Sequence, residues 1–225
     1  MNKASAPGNV HLFVPSDWFD LLEDGNDTEA TRRRCAELVR QSYPAVAPER
    51  QTHFVDALMA WYKHLLASGT LLYGIVSGPM PDNPDVVANW QVMAGVVDVP
   101  ETSDELDIGS LLSTAYGTQA DEPSYQESFT TDMGVGFGFV TQSTIRTPPD
   151  DDDDQMMSAE IGVVGALTCE PGGGKGILFI GVSLDPRFVG ELAGLLAVMA
   201  GRSTFSTPAE LREVHDPASS QESAQ

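Results

Sequence analysis

Between Met133 and Gly201 three strand-like segments, joined by two hairpin-style loops, run directly into one amphipathic helix, and this succession constrains the fold more than any other stretch. Val135, Phe137 and Phe139 alternate with Gly134, Gly136 and Gly138, the two-residue period of a strand with one bare face. β-Rich runs follow at residues 158–169 and 176–184, so the segments read as an antiparallel meander. Asp185 then supplies a cap and Pro186 a first helical position. Phe188, Leu192, Leu195, Leu196 and Met199 form a stripe that has to be buried. Glycine in a strand admits a neighbour that a Cβ would exclude, and the expected neighbour of the bare face at 134–138 is a closely packed helix rather than a ligand.

Upstream, Val10–Val14 reads as a strand closed by Pro15, which lacks a backbone donor. From Thr28, the residues Cys35, Leu38, Val39 and Ser42 recur at helical spacing until Tyr43-Pro44. Pro48 suits a first helical turn, and Phe54, Leu58, Trp61, Tyr62 and Leu65 mark one apolar face before Gly69. Residues 70–76 and 86–99 read as strands of a hairpin joined by Gly78-Pro79-Met80-Pro81. Thr102 and Glu105 have capping-box spacing ahead of a short helix carrying Leu106, Leu111 and Leu112. After a polar linker at 117–123, Tyr125, Glu127 and Phe129 open the strand-rich half. The fold class that follows is α+β, an antiparallel sheet of about six strands packed by the helices that contain Trp61 and Leu195. The expected limits are a flexible segment 1–9, one domain over 10–208, and a disordered polar tail over 209–225.

A single domain in a chain of 225 residues buries roughly 70% of its unfolded surface, so a real core is available. Against 33 acidic side chains stand 12 basic ones, a net charge of −21. Nucleic acid is excluded as a partner class, because phosphate binding relies on Lys and Arg and the densest basic cluster is Arg32, Arg33 and Arg34 within one helix. A basic protein or a cation is the complementary partner. The first residues lack the apolar core of a secretion signal and no segment is long enough to span a bilayer, so a cytoplasmic location is expected. Cys35 and Cys169, far apart and without partners at metal-ligand spacing, read as small apolar residues.

Motifs that would carry chemistry fail at specific positions. Asp150, Asp151, Asp152, Asp153 and Asp154 could collect Ca²⁺, but an EF-hand loop counted from Asp150 places Gln155 where Gly belongs and Ile161 where a bidentate Glu belongs. The run is read as a solvated hairpin tip and the candidate contact for a basic partner. Gly172-Gly173-Gly174-Lys175 is followed by Gly176 instead of Ser or Thr and leads into a strand, unlike a phosphate loop. His53 and His64 sit eleven residues apart on one helix, about 16 Å by helical rise, too far to share a metal. No catalytic residue, cofactor or metal site is assigned.

Gly176-Ile177-Leu178-Phe179-Ile180, Asp185-Pro186-Arg187-Phe188 and Phe205-Ser206-Thr207, taken in their segment order, resemble small proteins of high-GC Gram-positive bacteria, some encoded beside type VII secretion genes. A curved antiparallel sheet with helices on its faces is also similar to the PsbP-like α/β/α sandwich. Those resemblances imply an accessory or binding protein rather than an enzyme, associated with type VII secretion. An immunity-type inhibitor of a basic toxin is the alternative class, and a hydrolase with dispersed catalytic groups the third.

Overall fold

The computed structural model describes residues 2–6, 10–80, 83–99, 125–147, 157–170 and 174–205. The elements are β1 (Asn2–Ala6), β2 (Val10–Val14), β3 (Phe19–Asp20), α1 (Thr28–Ser42), α2 (Pro48–Ala67), β4 (Leu72–Met80) and β5 (Asn83–Val99). They continue with β6 (Tyr125–Thr131), β7 (Gly134–Thr147), β8 (Met157–Cys169), β9 (Gly174–Ser183), a 3₁₀ turn (Pro186–Phe188), α3 (Val189–Arg202) and β10 (Thr204–Phe205). The protein is α+β. Seven strands form one antiparallel sheet in the order β3-β4-β5-β9-β8-β7-β6, and β1-β2-β10 form a second, three-stranded sheet. The main sheet exceeds the expected strand number through β3, a two-residue edge strand too short to leave a periodic signal. Asn2–Ala6, expected to be flexible, pairs with β2 in register from Asn2↔Val14 to Ala6↔Val10. Backbone pairing needs no apolar side chains, which is why this segment carried no strand signal.

Local chemistry sets the helix ends. Asp27 Oδ1 accepts from Ala30 N at 3.0 Å and starts α1. Pro48 occupies the first turn of α2, where its missing N–H costs nothing. At the other end Gly69 takes φ +74°, with Thr70 N donating to Leu65 O at 3.1 Å and Gly69 N to Leu66 O at 3.2 Å. That pair of hydrogen bonds is a Schellman cap. Asp185 Oδ1 accepts from Arg187 N at 3.0 Å and opens the turn into α3, as its spacing predicts.

Helices lie on both faces of the main sheet. On one face α3 and β2 bury Leu192, Leu196 and Met199 with Val10 and Leu12 against Val92, Val164, Ile177 and Phe179. Ser203 ties these layers, accepting from Phe13 N at 2.9 Å and donating to Met199 O at 2.8 Å. On the other face α1 and α2 pack Cys35, Val39, Val55, Met59 and Tyr62 against Tyr73, Ile75 and Met93. Phe139, Leu167, Leu178 and Ile180 form a third buried cluster farther along that face.

The sheet glycines distribute differently from the expectation of a helix over 134–138. Phe129 pairs with Gly136 across the β6–β7 hairpin, and its ring would stand 2.7 Å from a Cβ there. An aromatic ring from the neighbouring strand fills the bare face. The helix instead seats on Gly162 and Gly181, where a Cβ would meet Val189 Cγ2 at 2.6 Å and Leu192 Cδ2 at 3.0 Å. On the opposite face Phe139 lies over its cross-strand partner Gly165.

Asp20 joins β3 to the helical layer. Its Oδ1 accepts from Leu22 N at 2.9 Å and Tyr73 N at 3.3 Å, while Arg34 donates to its backbone oxygen at 2.9 Å. Burial pushes this carboxyl above its ordinary range, outweighing the two backbone donors and Arg34, which pull it down. A carboxyl raised by folding adds stability fully present below its unfolded pKa of 3.8 and lost as pH rises through the folded value. Asp20→Asn keeps an acceptor and removes that titration. The stability of the variant relative to the native chain should therefore be greater at pH 7 than at pH 4 in urea titrations, and a difference independent of pH would refute the assignment.

Candidate interaction surface

The sequence periodicity of α2 admits two apolar sets, and the structure chooses between them. Val55, Met59, Tyr62 and Leu65 turn inward, whereas Phe54 and Trp61, expected on the buried face, remain 42% and 40% exposed. Tyr62 explains part of the choice, since its hydroxyl donates to Gly25 O at 2.7 Å and anchors that side of the helix on the turn before α1. Arg32 of α1 pairs with Asp56 and clamps the other flank.

The outward side of α2 is therefore aromatic. Tyr43, 51% exposed, meets the Phe54 ring at a centroid distance of 5.2 Å. Trp61 stacks on His64 at 5.1 Å and meets Tyr73 edge-on at 6.0 Å. Tyr73 is itself held by its hydroxyl, which donates to Gln91 Oε1 at 2.8 Å, so the platform under Trp61 is rigid. Burial pushes the Tyr73 phenol above its usual range and keeps it in the donating form. Aromatic side chains of roughly 150–250 Å² each, exposed to this degree, present roughly 200–350 Å² of surface, comparable at most with the largest apolar patch of an ordinary soluble domain. Ala57 and Ala60 are exposed between Phe54 and Trp61, and Ala67 is exposed at the end of the helix. The helix is charge-balanced, with Glu49 and Asp56 against Arg50 and Lys63, in a chain of net charge −21.

Other sequence-predicted positions separate in space. Asp150, Asp151, Asp152, Asp153 and Asp154 lie outside the described residues, as do Gly172 and Gly173, the capping box at Thr102 and Glu105, the linker 117–123 and the tail 209–225. Gly174, at φ +96°, and Lys175 open β9, with Lys175 Nζ 3.8 Å from Asp98 in an exposed pair. Glu170 N donates to Lys175 O at 2.9 Å, so this end of the β8–β9 connection is a hairpin. His11 is on β2, away from His53 and His64 on α2, and among the described residues no group of His, Cys, Asp and Glu could hold a metal ion. Burial raises both the Cys35 and Cys169 thiols, disfavouring thiolate chemistry. No helix among the described residues is long and apolar enough to cross a membrane.

No family model, curated protein or solved structure matches the chain.

Proposed function

We propose that the protein is a non-enzymatic binding or accessory protein whose docking surface is the outward aromatic face of α2. The observation that carries this reading is the exposure of Phe54 and Trp61 on a helix whose other apolar side is already buried. An exposed Trp on a rigid support is the kind of anchor that dominates protein interfaces. The partner is a protein. A chain of net charge −21 repels anionic polymers, so the surface that meets α2 is neutral or basic. A cytoplasmic role beside type VII secretion belongs to this proposal and rests on the segment order and the Asp185-Pro186-Arg187-Phe188 start of the last helix.

A photo-crosslinking residue placed at the exposed Ala57 tests the reading in native lysate. The expected result is a discrete protein adduct that falls at least about tenfold when Phe54→Ala and Trp61→Ala are combined, the loss of an aromatic hot spot. Both side chains are substantially exposed, so the double variant should stay folded by circular dichroism. An adduct pattern unchanged by the two substitutions would place the docking surface elsewhere.

A further inference from the structure

The apolar face formed by Val99, Phe139, Leu167, Leu178 and Ile180 is buried by something other than the three helices. All five side chains come from β5, β7, β8 and β9 of one sheet, and each is 6% exposed or less. A sheet cannot bury its own face to that extent, so another layer has to lie on it. Among the described residues no helix side chain belongs to this cluster: α1 and α2 pack on Tyr73, Ile75 and Met93, and α3 and β2 occupy the opposite face. We propose that the layer is the chain's own connection between β5 and β6, residues 100–124, with Leu106, Ile108, Leu111 and Leu112 supplying its apolar contacts.

Strand register selects this route. The connection leaves β5 at Val99 and enters β6 at Tyr125, which is level with Val92 through Val140, Val164 and Gly181. Across the order β5-β9-β8-β7-β6 its ends stand about 19 Å apart, and from Val92 to Val99 about 23 Å apart along the strands, a diagonal of about 30 Å. Leu178 and Leu167, level with Gly95, and Ile180 and Phe139, level with Met93, lie on or beside that diagonal. Handedness selects the same face. Successive antiparallel steps leave β5 and β6 pointing the same way, and a connection between such strands is right-handed in about 98% of cases. Leu184 N donates to Asn89 O at 3.1 Å and Glu170 N to Lys175 O at 2.9 Å, so Leu178 and Ile180 form hydrogen-bonded pairs with β5 and non-hydrogen-bonded pairs with β8. For L-residues that pattern makes a crossing over the Leu178 face right-handed and one over the α3 face left-handed. Other segments lack the composition or the position. Residues 148–156 carry five aspartates, 171–173 are Pro-Gly-Gly, and the chain after Phe205 leaves from β10, on the α3 side.

Photo-leucine incorporated singly in place of Leu106, Leu111 and Leu112 in the full chain tests the proposal, since the change keeps both size and polarity. Irradiation should join the segment to its own strands, with adducts in peptides that contain Phe139, Leu167 or Leu178. Leu111→Ala combined with Leu112→Ala should lower the urea midpoint by at least about 1 M, whereas truncating side chains that face water would leave it unchanged. Adducts confined to α3, to β2, to water or to a second molecule would overturn the proposal, as would an unshifted midpoint. Neither measurement depends on α2, so the reading of its outward face, tested by the Ala57 crosslink, stands or falls separately.

Discussion

Phe139→Ala is expected to lower stability by about 3–5 kcal/mol, the usual cost of deleting a buried aromatic ring. Phe139 is 3% exposed, within the cluster that includes Leu167, Leu178 and Ile180. The reason lies across the strand: its ring occupies the space above Gly165, so closely that a Cβ at 165 would sit 1.8 Å from Phe139 Cε1. Gly165→Ala should therefore destabilise as well, by about 1–3 kcal/mol or more, through overpacking. The two changes relieve each other, because the methyl group at 165 enters the space the ring vacates. Urea unfolding of the double variant should show a loss well below the sum of the single losses. Additivity within about 0.5 kcal/mol would mean that ring and glycine are not coupled.

The seat of α3 should be equally intolerant of a single added methyl group. Gly162→Ala would press on Val189 Cβ at 2.7 Å, and Gly181→Ala on Leu192 Cδ2 and Leu196 Cδ2, both at 3.0 Å. Leu192 and Leu196 are fully buried, with little room to yield, so each change should cost about 1–3 kcal/mol. Gly138→Ala is the internal comparison. Its Cβ would meet Phe129 Cε1 at 3.5 Å and Gly165 O at 3.7 Å, ordinary contact distances. That variant should lie within about 0.5 kcal/mol of the native chain or be slightly more stable, since alanine restricts the unfolded chain. Were Gly138→Ala the most damaging of the three, α3 would have to sit over the Gly134-Gly136-Gly138 face instead.

The same glycines mark how far the sequence can be read. Alternation at Val135, Phe137 and Phe139 established a strand with a bare side, but what fills that side depends on register. Phe129 covers Gly136 only because the β6–β7 hairpin pairs them directly, and a slip of one residue would turn the ring to the other face. Gly162 and Gly181 stand in otherwise ordinary strand runs, with nothing adjacent to announce a helix above them. On α2 the ambiguity was of another kind. Phe54, Leu58, Trp61, Tyr62 and Leu65 recur at helical spacing, and of that set Tyr62 and Leu65 are buried and Leu58 packs against the core, whereas Phe54 and Trp61 are exposed and Val55 and Met59 take the inward positions.

Legible from the residues alone were the fold class, the strand meander from β7 to β9, the caps at Pro48, Gly69 and Asp185, and the burial of Leu192, Leu196 and Met199. These are local properties: a cap acts over three or four residues, and a periodicity is complete within its own element. Tertiary structure alone decided which side of α2 faces outward, which glycines carry α3, and the pairing of Asn2–Ala6 with β2. The first two depend on partners farther off in the chain, Gly25 and Arg32 for α2 and Val189 and Leu192 for the glycines, whereas β1 pairs with the nearby Val10–Val14. A periodic pattern records that a face must be covered, and only packing in three dimensions selects what covers it.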